Sequence, residues 1–220
     1  MKQPELESED CLGVDLTDSL ADVRVMKKVF GEGGDVRATN PETVLKALRL
    51  VDSISDGSRL TSYLVQLLRH PSPQVRSKTT LLLGRANLNI NRVRNFLLSS
   101  DTRLRANAVE SLWGHASREN VRQLLWEASR DRNNRVVVNA LLGLCKAGDR
   151  GAFARLVALA DSTDPRLRSG AAWAMGETGD PEFAASLEKL AQDADERVAA
   201  LAARARKNLE AIVDGPAAVP

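Results

Sequence analysis

The 220-residue sequence predicts an all-α protein, an α-solenoid of about five to six helix pairs forming a curved right-handed superhelix. Three observations carry that prediction. A pattern of apolar and small residues returns about every 31 positions. Within each copy the apolar residues are spaced by three and four, and no strand-like alternation of any length interrupts the series. Ala, Leu and Arg recur throughout, residues that lose little side-chain freedom in a helix, while aromatics make up only 4%.

The repeat is anchored on Val44, Val75, Leu104, Val136, Leu167 and Val198, separated by 31, 29, 32, 31 and 31 residues. Val44 lies in NPETVLKALRLVDS and marks a more divergent first copy. Four residues after the anchors come Leu48, Thr79, Ala108, Ala140, Ala171 and Ala202. Five of those six are small, which suits close approach between helices.

Taken in order, residues 1–40 read as an acidic tail holding an amphipathic helix and a Gly-rich linker. The helix would span Leu16–Phe30, with Leu16, Leu20, Val23 and Phe30 on one face, until GEGGD (Gly31–Asp35) breaks it. Two roles are open for it, a cap on the first repeat or a mobile partner-binding segment. Residues 41–213 form the repeat domain, and 214–220 a loose tail.

Each repeat divides into two helices. First helices open at Ser72-Pro73, Asp101-Thr102 and Asp164-Pro165, where a side-chain oxygen accepts an orphan N–H and Pro loses nothing. They end near glycine, as at Gly148 and Gly179, where a left-handed residue costs little. Asp149 and Asp180 then cap the second helices. These read RLTSYLVQLLRH, NRVRNFLLSS, ENVRQLLWEAS, RGAFARLVALA and PEFAASLEKLAQ. The last helix, Glu196–Val213, carries RARK and serves as a polar end cap.

The run Asp-x-Arg-Leu-Arg, then Ala, then Met-Gly, then Gly-Asp-Pro, seen from Asp164 to Pro181, resembles the HEAT-repeat family. It is similar in particular to the short HEAT-like repeats of the phycobilisome-lyase type, over residues 41–213. The resemblance implies that second helices line a concave binding surface. It implies no single activity, because such repeats serve many functions. Val137 and Ala199 depart from the pattern, replacing the Arg seen as Arg76, Arg105 and Arg168.

Net charge is only +2, but its distribution is uneven. Residues 1–22 sum to −6, residues 59–155 to +11 and residues 156–220 to −4. A basic middle therefore faces an acidic tail that can compete with acidic ligands. The two cysteines, Cys11 and Cys145, make no disulfide framework, and no apolar run spans a membrane. The start, MKQPELESEDCLGVDL, has no signal-peptide core, so a cytoplasmic location is expected.

No catalytic constellation is visible, and no cofactor or metal is expected. His70 and His115 stand alone, without a second ligand at zinc spacing. There is no nucleophile elbow and no phosphate-binding glycine loop. The resemblance extends to HEAT-like di-iron hydroxylases, but their His-Glu pair is missing here. Cys145 reads as a buried small hydrophobe, and Trp113 and Trp173 as packing residues.

Arg76, Arg105 and Arg168 follow the anchors and, with Asp101 and Asp164, read as a structural ladder between repeats. Arg103, Arg135, Arg166 and Arg197 precede the anchors and face solvent. The candidate partner-binding residues lie on second helices: Arg92, Arg94, Asn95, Arg122, Gln123, Trp126 and Arg155. Guanidinium groups repeated from helix to helix suit carboxylates or phosphates through a bidentate fork. The bland alternative is a solvated basic face, and for Trp126 core packing.

The sequence therefore predicts a non-enzymatic scaffold or adaptor that binds an acidic segment of another protein. Self-binding by the acidic tail accompanies that reading. Nucleic-acid binding is the alternative. A bilin lyase-like role is suggested by the resemblance alone, with no residue cluster behind it.

Overall fold

The computed structural model describes residues 20–30, 39–54, 58–86 and 90–213. Cys11, Leu16, the acidic segment before Leu20, the GEGGD linker and the tail 214–220 lie outside the described residues. Every regular element among the described residues is helical. The chain divides into two compact units, Met1–Ser111 and Leu112–Pro220.

The first unit contains α1 (Ala21–Phe30), α2 (Pro41–Ile54), α3 (Thr61–Leu67), α4 (Pro73–Ala86), α5 (Ile90–Leu97) and α6 (Thr102–Ser111). Helices α2, α4 and α6 are the first helices and pack in sequence, while α3 and α5 pack on α4 and α6. Helix α1 lies against α2, so the described part of the N-terminal helix covers the first repeat. Its buried face differs from the expected one. Val25, Met26 and Phe30 are buried, Val23 is half-buried, and Leu20 is 47% exposed. The adjacent pair Val25-Met26, joined by Phe30 one turn on, outweighs an isolated Leu20. The Phe30 ring stacks on Tyr63, with centroids 6.2 Å apart.

The second unit contains α7 (Glu119–Ala128), α8 (Asn134–Lys146), α9 (Arg150–Leu159), α10 (Pro165–Thr178), α11 (Ala184–Leu190) and α12 (Glu196–Val213). First helices α8, α10 and α12 pack side by side, and the second helices α7, α9 and α11 lean on them. A 3-10 turn, Trp113–His115, precedes α7. Another 3-10 turn, Pro181–Phe183, leads into α11.

The repeat's small positions explain the packing. Leu48, Thr79, Ala108, Ala140, Ala171 and Ala202 are all fully buried, at 0% exposure. Close approach reaches its limit at glycine. A Cβ on Gly84 would lie 2.2 Å from Ser111 Cβ, and one on Gly143 would lie 2.4 Å from the Trp113 ring. The expected turn chemistry is present too. Gly148 and Gly179 are left-handed, with φ of 79° and 68°. Asp149 Oδ1 accepts the N–H groups of Gly151 and Ala152, and Asp180 Oδ1 accepts that of Glu182. Each cap satisfies donors that the following helix leaves orphaned.

Candidate functional site

The arginines after the anchors share one geometry. Arg76 Nη1 donates to the carbonyls of His70 and Pro71, at 2.9 and 2.7 Å. Arg105 Nη1 reaches those of Ser99 and Ser100, at 2.9 and 3.2 Å. Arg168 Nη1 reaches those of Ser162 and Thr163, at 2.9 and 3.3 Å. In each case the guanidinium ties the end of a second helix to the start of the next first helix.

The aspartates just upstream act as the caps their spacing suggests, and neither carboxylate pairs with the arginine four residues on. Asp101 and Asp164 are N-caps, accepting from the N–H groups of Arg103 and Arg166 at 2.9 and 2.8 Å. Asp164 Oδ2 also accepts from Asn134 Nδ2 of the preceding repeat, at 2.9 Å. That bond, with the Arg166 N–H, holds the Asp164 carboxyl below the usual aspartate range. Arg168 forms its inter-repeat ion pair with Asp193 instead, with side chains 18% and 10% exposed.

On α7 the residues Val121, Leu124, Leu125 and Ala128 are buried, which leaves Glu119, Gln123 and Glu127 outward. Arg122 and Trp126 fall between, half-buried on the flank. Arg122 Nε is shielded from solvent and has no hydrogen-bond acceptor. Gln123 Nε2 donates to Glu119 Oε1 at 3.2 Å. Trp126 Nε1 donates to Asp149 Oδ2 at 3.1 Å, so its indole is held against the start of α9. Arg155 reaches back from α9 to the carbonyl of Ser129, at 3.4 Å, just past the end of α7. A cation there complements the helix dipole.

Unit two thus brings Arg122, Gln123, Trp126 and Arg155 onto two neighbouring second helices. Arg94 and Asn95 are exposed on α5 in unit one and stand by themselves. The Arg92 side chain lies outside the described residues. Two features escaped sequence reasoning. Glu119 and Glu127 dilute the charge of α7, and Trp126 is engaged by a cap residue 23 positions away. The Asp149 cap was legible, but the reach of its second oxygen was not.

Next to this face lies a cleft of about 240 Å3, lined by Cys145, Gly148, Asp149, Phe153, Thr178 and Asp180 among others. Phe153 stacks on the buried Phe183, with centroids 4.1 Å apart. Burial, then the carboxylates of Asp149 and Asp180, push the Cys145 thiol up to about 12. Such a thiol is inert at neutral pH. Among the described residues no group of three His, Cys, Asp or Glu side chains gathers as a metal site. His70 is buried between two backbone groups, with Nδ1 accepting from Ser72 N at 3.0 Å and Nε2 facing Thr39 O at 3.2 Å. Burial, then Arg118, hold His115 below the usual histidine value. No helix among the described residues is long and apolar enough to cross a membrane.

Stacked helix pairs with caps and clamps repeated in register define a helical-repeat protein. A family model described as HEAT repeats matches residues 121–206, within the second unit. The match is to HEAT repeats in general, not to the phycobilisome-lyase type. No curated protein matches the chain. Among solved structures, human deoxyhypusine hydroxylase in complex with glycerol is similar at 19% identity and a TM-score of 0.42, over 91% of this chain and 77% of that one. An engineered protein matches at 19% identity and 0.42, over 87% and 97%. A computationally designed armadillo repeat protein for modular peptide recognition matches at 20% and 0.39, over 77% and 94%. No functional residue is carried over from them.

Proposed function

We propose that this protein is an interaction scaffold whose second helices hold an acidic segment of a partner protein. The observation that carries the reading is Arg122. Its Nε is removed from solvent without an acceptor, and an unsatisfied buried donor is costly. A partner carboxylate docked on the α7–α9 flank is proposed to meet the half-buried Arg122 guanidinium at its outer edge in a charge-assisted bond, fixing a group that the fold leaves incompletely bonded. Arg155 on the neighbouring helix and the exposed Arg94 and Asn95 extend the same preference, as does the +11 charge of residues 59–155. Gln123 and Trp126 complete the proposed contact set of the second unit, and Arg92, Arg94 and Asn95 are proposed as a separate contact patch on α5 of the first.

The acidic tail, −6 over residues 1–22, is proposed as an internal competitor for that face. Nucleic acid is the alternative ligand, since arginines serve phosphates equally well. The outward carboxylates Glu119 and Glu127 favour a peptide with discrete charges over a continuous phosphate backbone.

Fluorescence anisotropy with a glutamate-rich peptide and a single-stranded oligonucleotide tests the reading. The peptide is expected to bind, and Arg122→Glu to weaken it by about tenfold or more. Tight binding of the oligonucleotide alone, or a peptide affinity indifferent to Arg122→Glu, contradicts the proposal.

A further inference from the structure

The second helices of the first unit, α3 and α5, carry no carboxylate. Residues 57–100 hold seven Lys and Arg and no Asp or Glu. Asp101, next in sequence, caps α6. Two of the cations serve the fold, since Arg76 clamps a turn and Lys78 pairs with Asp52 of α2. Arg69 and Arg94 do not. Both are exposed, and neither guanidinium has a partner among the described residues.

These two arginines belong to an outward stripe that repeats. Val65, Gln66 and Arg69 are exposed along α3 and just past its end, as are Arg94, Asn95 and Leu98 along α5. The two sets lie 29 positions apart, the same separation as the anchors Val75 and Leu104. They therefore occupy equivalent places on successive repeats, with α3 on α4, α5 on α6, and α4 against α6. Each set pairs an apolar residue with an Arg four positions away, one turn along the same helix face. Val65 is 36% exposed and Leu98 80%. With Leu20 they are the exposed large hydrophobics among the described residues, and all three lie in the first unit.

A segment of matching chemistry is present in the same chain. Residues 1–19 carry six Asp and Glu against one Lys, with Leu6, Leu12, Val14 and Leu16 among them. Acidic and apolar residues alternate at Glu5-Leu6-Glu7 and at Val14-Asp15-Leu16. The segment runs into α1, whose Phe30 stacks on Tyr63 of α3. With ten residues, α1 starts within about 15 Å of that contact. Nineteen residues reach up to about 60 Å when extended. Packed helices stand roughly 8–10 Å apart, so α3 and α5 both lie within reach.

We propose that the outward stripe of α3 and α5 is the docking site of the chain's own residues 1–19. Tail carboxylates meet Arg69 and Arg94, and tail leucines cover Val65 and Leu98. This rests on the reading of the acidic tail as an internal competitor and gives the tail its place, the patch of the first unit.

Cys11 lies in the tail and reports where it docks. In the full chain carrying Cys145→Ala it is the sole thiol, and benzophenone-4-maleimide attaches there. Irradiation of dilute protein at low salt is expected to give an intramolecular cross-link that peptide mapping places within residues 61–69 or 90–98. Arg69→Glu combined with Arg94→Glu is expected to cut its yield about fivefold or more. Glu7→Gln, Glu9→Gln and Asp10→Asn together are expected to do the same from the tail's side. The arginines are exposed and without partners, so the melting temperature of each variant is expected to match the parent's. Affinity of a glutamate-rich peptide for the α7–α9 flank is a separate readout, so the cross-link can fail while Arg122→Glu still weakens the peptide, and the reverse. Cross-links that map to α1, α2 or the second unit, or that form only between two molecules, overturn the assignment. So does a yield that is equal in the parent, the double-arginine variant and the neutralised-tail variant.

Discussion

Arg168 grips Asp193 through two hydrogen bonds, Nε to Oδ2 at 2.6 Å and Nη2 to Oδ1 at 2.8 Å, across 25 residues of sequence. The same guanidinium holds the turn at Ser162 and Thr163, so one side chain links the end of α9, the start of α10 and the turn before α12. A planar, always-charged group with donors in a fork suits this task, and lysine does not.

This pair makes stability pH-dependent in one direction. The hydrogen bonds from Arg168, then from the Asp195 N–H, hold the Asp193 carboxyl below its usual value near 3.8. A folded pKa below the unfolded one adds stability above the unfolded value and loses it as pH falls through the folded one. Asp164 and Glu182 shift the same way, through Asn134 and Arg150 respectively. Asp193→Asn is therefore expected to melt a few degrees below wild type at pH 7, with the gap closing as pH falls below the usual aspartate value near 3.8. Thermal melts across that range check it. A gap that stays constant with pH shows that the pair's charge is irrelevant.

Close helix approach makes a second prediction. Gly143→Ala places a Cβ 2.4 Å from Trp113 Cδ1 and is expected to cost about 1–3 kcal/mol. Gly114→Ala meets nothing within 4 Å and has no positive φ, so it is expected to be neutral or stabilising by about 0.4–1 kcal/mol. Urea unfolding of the two variants separates packing from helix propensity.

Buried polar bonding makes a third. His70 is 1% exposed and bridges Thr39 and Ser72. His70→Leu leaves both backbone groups without that partner, at an expected cost of about 1–3 kcal/mol. Hydrogen exchange is expected to accelerate at the start of α4, where Ser72 leads into the helix.

The helix order, the caps at Asp101, Asp149, Asp164 and Asp180, and the glycine turns were legible in the sequence because they depend on local chemistry within a few residues. The buried small positions were legible because the repeat displays them in five of its six copies. Side-chain partners at long separation were not. Nothing local distinguishes Asp193 from Asp164 as the mate of Arg168, since the choice depends on how α10 and α12 stack. The buried face of α1 was misjudged for a similar reason. Val25 and Met26 win their place only once Tyr63 and α2 supply a surface. The α7–α9 flank was found through its arginines, whereas the cleft at Cys145 needs two helix ends brought together in space.

A thiol at about 12 implies slow chemistry. In Cys11→Ser protein at pH 8, iodoacetamide is expected to alkylate Cys145 about three orders of magnitude more slowly than a thiol of ordinary pKa near 8.5. Unfolding in urea is expected to restore the ordinary rate. Equal rates in the folded and unfolded protein rule out the burial and the carboxylate field as controls on Cys145.

Second-helix arginines are proposed to recruit an acidic partner segment. The most direct test is the affinity of a labelled glutamate-rich peptide for the full chain, for the chain without residues 1–22, and for Arg122→Glu in each. Binding is expected to tighten once the acidic tail is removed, and to weaken about tenfold or more with Arg122→Glu in both backgrounds. Equal affinity across all four proteins contradicts it.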